Sequence, residues 1–220
     1  MSQPQDNLLP FEDAEDVEAH LVKEALAAGA VAGALFAGTA QAKTTLKVST
    51  GPAVAAQASV ARAAVVFDGG TATERAQVTK ALAASSFDWS ILPAVTVHIG
   101  SDVVSEATRG NIWLESSLLR SGRFSWGVIQ HEYAHQVDFF LLDDDARAQL
   151  QKLLGGAAWC EDDAPGLRHS DYACERFAST LAWAFWQSPD NCMKPAGKSD
   201  VESGSVAPAV FRAVLAQLLA

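Results

Sequence analysis

The stretch GVIQHEYAHQVDFFLL, residues 127 to 142, constrains this chain more than any other. Its apolar residues, Val128, Ile129, Val137, Phe139, Phe140 and Leu141, occupy much of the circumference of a helix running from about Phe124 to Leu142, so the helix should be largely buried. Two histidines and a glutamate in such a helix need a reason, because buried polar groups are costly unless hydrogen-bonded or bound to metal. Helical positions four apart lie within about 40° of one another, so His131 and His135 project side by side, as two imidazoles on one metal must. Glu132, next to the first histidine, can lean toward the same spot without being a ligand, where a carboxylate can take a proton from a water on the metal. Asp138, seven residues after His131, returns to the same stripe. It is either a partner for the second ring nitrogen of a ligand histidine or a solvated residue at the helix exit.

Charge narrows the partners. The formal net charge is −10, and an acidic chain is attracted neither to nucleic acid nor to an anionic membrane surface. Residues 1 to 42 hold −6 of that charge, with Asp6, Glu12, Asp13, Glu15, Asp16, Glu18 and Glu24 set against Lys23 alone. The chain therefore divides into an N-terminal segment, 1 to 42, and a mildly acidic body, 43 to 220, long enough for one ordinary domain.

Within the N-terminal segment, ALAAGAVAGALFAGTAQA (25 to 42) is an uncharged Ala/Gly-rich run ending in an A-x-A pattern at Ala40 and Ala42. A secretory signal has such an apolar region and small-residue cleavage site, which points to a secreted or cell-envelope protein. About two dozen residues whose charges are mostly acidic precede the run where a signal has a short basic region. The same run also reads as an ordinary Ala-rich helix or an uncleaved anchor, and only the anchor would bring the membrane in as a partner. The stretch EDVEAHLVKEA resembles the acidic leader segments of small actinobacterial peptide precursors.

In the body, residues 44 to 64 are a linker or a first strand, and Val65-Val66-Phe67 closed by Asp68-Gly69-Gly70 reads as a strand end and turn. Residues 71 to 85 form an amphipathic helix with Val78 and Leu82 on one face. Alternating Val95, Val97 and Ile99 mark a half-buried strand ended by Gly100, with His98 pointing to the other face in a non-catalytic role. Asn111 to Leu114, entered through Gly110, is extended. It is either an exposed sheet edge on which a peptide lies as an added strand or an interior strand. Asp143-Asp144-Asp145 opens a short helix ended by Gly155-Gly156. In HSDYACERFASTLAWAFW, residues 169 to 186, Glu175 shares a helical face with Ala178, Ser179 and Ala182. A last helix starts at about Pro208.

A catalytic zinc site needs three protein ligands and an open fourth position. HEYAH supplies two. Downstream, Glu175, Asp171 and His169 are the candidates for the third, with Glu175 preferred because the apolar face of its helix would pack near the first. Here the chain resembles the HExxH zinc metallopeptidases of the gluzincin type, in which a glutamate on a later helix completes the site. The resemblance rests on H131-E-Y-A-H135 and on E175-R-F-A-S, over roughly residues 95 to 190. It implies an α+β, zincin-like fold: a small mixed sheet, an active-site helix and a C-terminal helical part. It further implies Zn2+ held by His131, His135 and Glu175, Glu132 as general base, and a peptide or protein substrate. His135 is followed by Gln136, Val137 and Asp138, so the extended metzincin pattern with a third histidine is absent. Tyr172 and His169 are the nearest additional donors for a tetrahedral intermediate and stay outside the core assignment. Two of Cys160, Cys174 and Cys192 can form a disulfide in an exported protein, leaving one thiol. The alternatives are a secreted binding protein on an inactive zincin scaffold and an envelope-anchored interaction protein.

Overall fold

A computed structural model describes residues 64–220 except 162, 198 and 199. The acidic N-terminal segment, the signal-like run and residues 44 to 63 lie outside the described residues.

Four strands form one sheet: β1 (Val65–Gly69), β2 (Val95–Gly100), β3 (Glu106–Thr108) and β4 (Asn111–Glu115), in the order β1-β2-β4-β3. β1, β2 and β4 run parallel to one another, and β3 runs antiparallel to β4 at one edge. Asn111 to Leu114 is therefore an interior strand, and among the described residues the edges are Val65–Gly69 and Glu106–Thr108. β3 and β4 are joined by the two-residue loop Arg109-Gly110, where Gly110 takes a φ of 82°, a left-handed conformation that glycine adopts freely.

Strand alternation assigns the faces. Val95, Val97 and Ile99 of β2 and Ile112 and Leu114 of β4 are buried against the helices, while Thr96, His98, Asn111 and Trp113 on the other face are half-buried. The helices are α1 (Ala72–Ala84), a single turn α2 (Ser116–Leu119), α3 (Phe124–Leu141), α4 (Asp144–Leu154), α5 (Ala173–Phe185) and α6 (Pro208–Leu218). α1 begins in a capping box: Thr71 Oγ1 accepts from the Glu74 backbone while the Glu74 carboxylate accepts from Thr71 N at 2.8 Å. It turns Val78, Ala81 and Leu82 into the core. α4 is capped by Asp143, which accepts from Ala146 N at 2.8 Å.

Every residue of α3 from Ile129 to Asp138 is buried, and α3 packs most extensively against α5, with α1 on another side. One apolar core joins the sheet to α1, α3, α4, α5 and α6, with Phe177, Phe211, Leu181 and Ile129 among its fully buried members. The architecture is thus mixed α/β, with a small mixed sheet and six helices among the described residues.

Candidate metal centre

α3 and α5 cross where their polar residues meet. His131 and His135 lie one turn apart on α3, and their Nε2 atoms are 3.2 Å from each other. Glu175, in the first turn of α5, brings Oε2 to 3.1 Å from His131 Nε2 and 3.3 Å from His135 Nε2. A tetrahedral ion with bonds of about 2.0–2.2 Å separates its donor atoms by about 3.3–3.6 Å. The three atoms stand a few tenths of an ångström inside that spacing, so two imidazoles and a carboxylate could hold a metal ion after small outward shifts.

The position of Glu175 is set by its surroundings. Residues 157 to 159 run beside the start of α5: Ala157 N donates to Asp171 O at 2.7 Å, and Ala173 N and Cys174 N donate to the carbonyls of Ala158 and Trp159 at 2.9 and 2.8 Å. These carbonyls satisfy helix-start N–H groups that no side chain caps. A disulfide between Cys160 and Cys174 pins the same two segments, and Cys192 is the free thiol. Arg176 closes the arrangement from beyond, donating to Ser170 O and Leu154 O at 2.7 and 2.9 Å.

Around the three atoms, His131 Nδ1 meets Ser179 Oγ at 3.1 Å, one turn along α5 from Glu175. The outer nitrogen of a ligand histidine is commonly fixed in this way. Burial by itself would raise the Glu175 carboxyl, but hydrogen bonds from His131, His135 and His169 outweigh it and hold the group far below the usual carboxylate range. For His135, burial favours the neutral ring, and the Glu175 carboxylate overcomes it, raising the imidazole. Glu132 is buried beside this cluster, and desolvation pushes its carboxyl upward against the pull of His131 and His135. Among the described residues no side chain hydrogen-bonds to the Glu132 carboxylate.

The other sequence candidates separate. His169 reaches the cluster, with Nε2 at 2.9 Å from Glu175 Oε2, and is raised to about 9, first by its hydrogen bond to Glu175. Asp171 turns away and takes a two-point pair with Arg168 at 2.8 and 3.0 Å. Tyr172 is occupied in its own loop, donating to Ala164 O at 3.1 Å and accepting from Leu167 N at 3.0 Å. Asp138 is neither a histidine partner nor solvated. It is buried and receives Arg147 Nε at 2.8 Å and Trp159 Nε1 at 3.1 Å, both from chain segments that follow α3. The ligand atoms of His135, Cys174 and Glu175 also cluster within 4.8 Å. The Cys174 sulfur is spent in the disulfide, so it offers no thiolate. His98 faces away from the core, between Asp68 at 2.9 Å and Asn111 at 3.0 Å, and stacks on Trp113.

Sequence reading missed Ser179 and Gln136. Gln136 follows His135 and clamps the β3–β4 loop, accepting from Gly110 N at 2.7 Å and donating to Thr108 O at 2.9 Å. The only sequence signal for Ser179 was its place four residues after Glu175. Comparison of the chain with family models, with curated proteins and with solved structures finds no match.

Proposed function

We propose that the chain is a zinc-dependent peptidase with a zincin-like fold, in which His131, His135 and Glu175 hold Zn2+ and Glu132 is the general base. The observation that carries this reading is the near-tetrahedral spacing of two imidazole nitrogens and one carboxylate oxygen, 3.1 to 3.3 Å apart, with a second carboxylate buried beside them. Two nitrogens and one oxygen suit zinc, and the same set with an open position is that of hydrolytic zinc sites. Zinc bound there would lower the pKa of a water and polarise a peptide carbonyl.

The protein's own groups supply the remaining parts. Glu132, held above its ordinary range by desolvation, is suited to accept a proton from the attacking water and return it to the leaving amine. Ser179 fixes the His131 ring. The edge strand Glu106–Thr108 would let a substrate peptide add as a further strand, bonding through main-chain groups without regard to sequence. Gln136, next to His135, fixes that hairpin relative to the metal-binding helix. Nucleic acid is not a proposed partner, on charge.

A secreted or cell-envelope location is part of the same reading. The Cys160–Cys174 bond supports it, since structural disulfides persist in oxidising compartments. No described helix is long and apolar enough to cross a membrane. An inactive binding scaffold is disfavoured by the retention of Glu132, because losing the base is the simplest way to stop hydrolysis while keeping metal.

The test is zinc content with cleavage of a mixed peptide library. Wild type should bind one zinc and cleave. His131→Ala should lose the metal. Glu132→Gln should keep the metal and lose about 10²–10⁴-fold in rate, the usual weight of a general base. Equal cleavage by wild type and Glu132→Gln would remove the mechanism, and a zinc-free wild type would remove the centre.

A further inference from the structure

The geometry points to His169 as a fourth, displaceable protein ligand of this centre, one that covers the open corner until an incoming oxygen ligand replaces it. The inference rests on the metal-site reading above. Three imidazole nitrogens, not two, converge on Glu175 Oε2, and His169 Nε2 is the nearest of them at 2.9 Å, against 3.1 Å for His131 and 3.3 Å for His135. The ligand atoms of His131, His169 and Glu175 all lie within 4.8 Å of one another.

The second ring nitrogen of His169 is provided for as a ligand's would be. Nδ1 faces Glu202 Oε1 at 3.3 Å. A carboxylate there accepts a hydrogen bond from Nδ1–H and so keeps the Nε2 lone pair for a metal, as Ser179 does for His131. A histidine that only decorated the surface would need neither contact.

What separates His169 from the other two is its support. His131 and His135 are buried on an eighteen-residue helix. The His169 side chain is 62% exposed and stands on a three-residue 3-10 turn, His169–Asp171, with no capping side chain. Three residues upstream the chain passes through Gly166, at a φ of 90°. The His169 ring meets the buried residues only at its stack on His131, 6.1 Å between centroids, whereas His131 and His135 are held within α3 itself. With His169 on the site, all four corners are protein and Glu132 has no water to deprotonate. With His169 withdrawn, the fourth corner opens beside Glu132.

The test counts imidazoles by zinc X-ray absorption on the full chain loaded with one zinc. Wild type should show three and His169→Ala two, with zinc affinity falling about 10-fold or more. Glu202→Gln should keep three imidazoles with weaker zinc binding, by about 10–100-fold, the usual effect of losing an outer partner. Adding acetohydroxamate should lower the wild-type count to two and leave His169→Ala at two. Two imidazoles in untreated wild type would overturn the fourth ligand while leaving the three-ligand centre in place. Three that persist under acetohydroxamate would overturn displacement and make the site a closed structural one. A protein that binds no zinc would remove the centre itself, and this inference with it.

Discussion

Single residues around the centre are expected to have separable effects. Among the described residues the buried Ser179 hydroxyl hydrogen-bonds to His131 Nδ1 and to the Met193 sulfur, at 3.7 Å. Ser179→Ala should therefore weaken zinc by about 10–100-fold while changing stability little, measurable by competition with a chelator alongside thermal unfolding. Asp138 does the reverse. Its buried carboxylate binds the Arg147 and Trp159 side chains, neither of which offers a candidate ligand atom, so Asp138→Ala should cost about 2–3 kcal/mol in urea unfolding without altering metal stoichiometry. The figure is kept low because Arg147 is partly exposed and can be rehydrated. His98 gives a pH signature remote from the centre. Asn111 first, and then Asp68, raise its imidazole above the ordinary value of 6.5. A raised histidine contributes stability that is fully present below its unfolded pKa and is lost as pH rises through the folded value. The gap in melting temperature between wild type and Asp68→Asn should accordingly be widest in mild acid and close above neutrality. The gap should be small, since Asp68 is largely exposed.

Among elements, α3 and the loop after α5 approach each other closely at Gly127. A Cβ at Gly127 would stand 2.4 Å from Asn191 Oδ1 and 2.6 Å from Cys192 Sγ. Asn191 is buried and closes the end of α5, donating to Ala182 O and Trp186 O at 3.0 and 2.8 Å. Gly127→Ala should thus force the loop outward and cost about 1–3 kcal/mol, read by denaturant unfolding. Thr71→Ala, which removes a helix cap far from the centre, should cost about 1 kcal/mol with zinc binding unchanged. The long elements were legible because each carries its own signal. Val78 and Leu82 mark α1, the alternation of Val95, Val97 and Ile99 marks β2, and Asp143 marks the start of α4. β3 was missed because Glu-Ala-Thr has neither β-branched alternation nor length, and it exists through pairing with β4 and the Gln136 clamp. α2 is a single turn, too short to show a period.

At the scale of the whole molecule, the disulfide links the fold to the centre. It closes a loop with a sequence separation of 14, which corresponds to about 3 kcal/mol by chain entropy. Reduction should therefore lower the melting temperature, whereas blocking Cys192 should leave the disulfide's contribution in place. The sequence by itself determined that a buried helix would carry His131, Glu132 and His135 on neighbouring positions, because helical period and apolar content are local properties. It also narrowed the remaining partner to Glu175, Asp171 or His169. Where each of the three stands was set only by the tertiary structure. The crossing of α3 and α5 sets Glu175 against both histidines, Arg168 takes Asp171, and the loop alongside residues 171–174 selects the cysteine pair. Spacing along a helix is fixed by the backbone, but distance between helices is set by how side chains from remote segments fill one core.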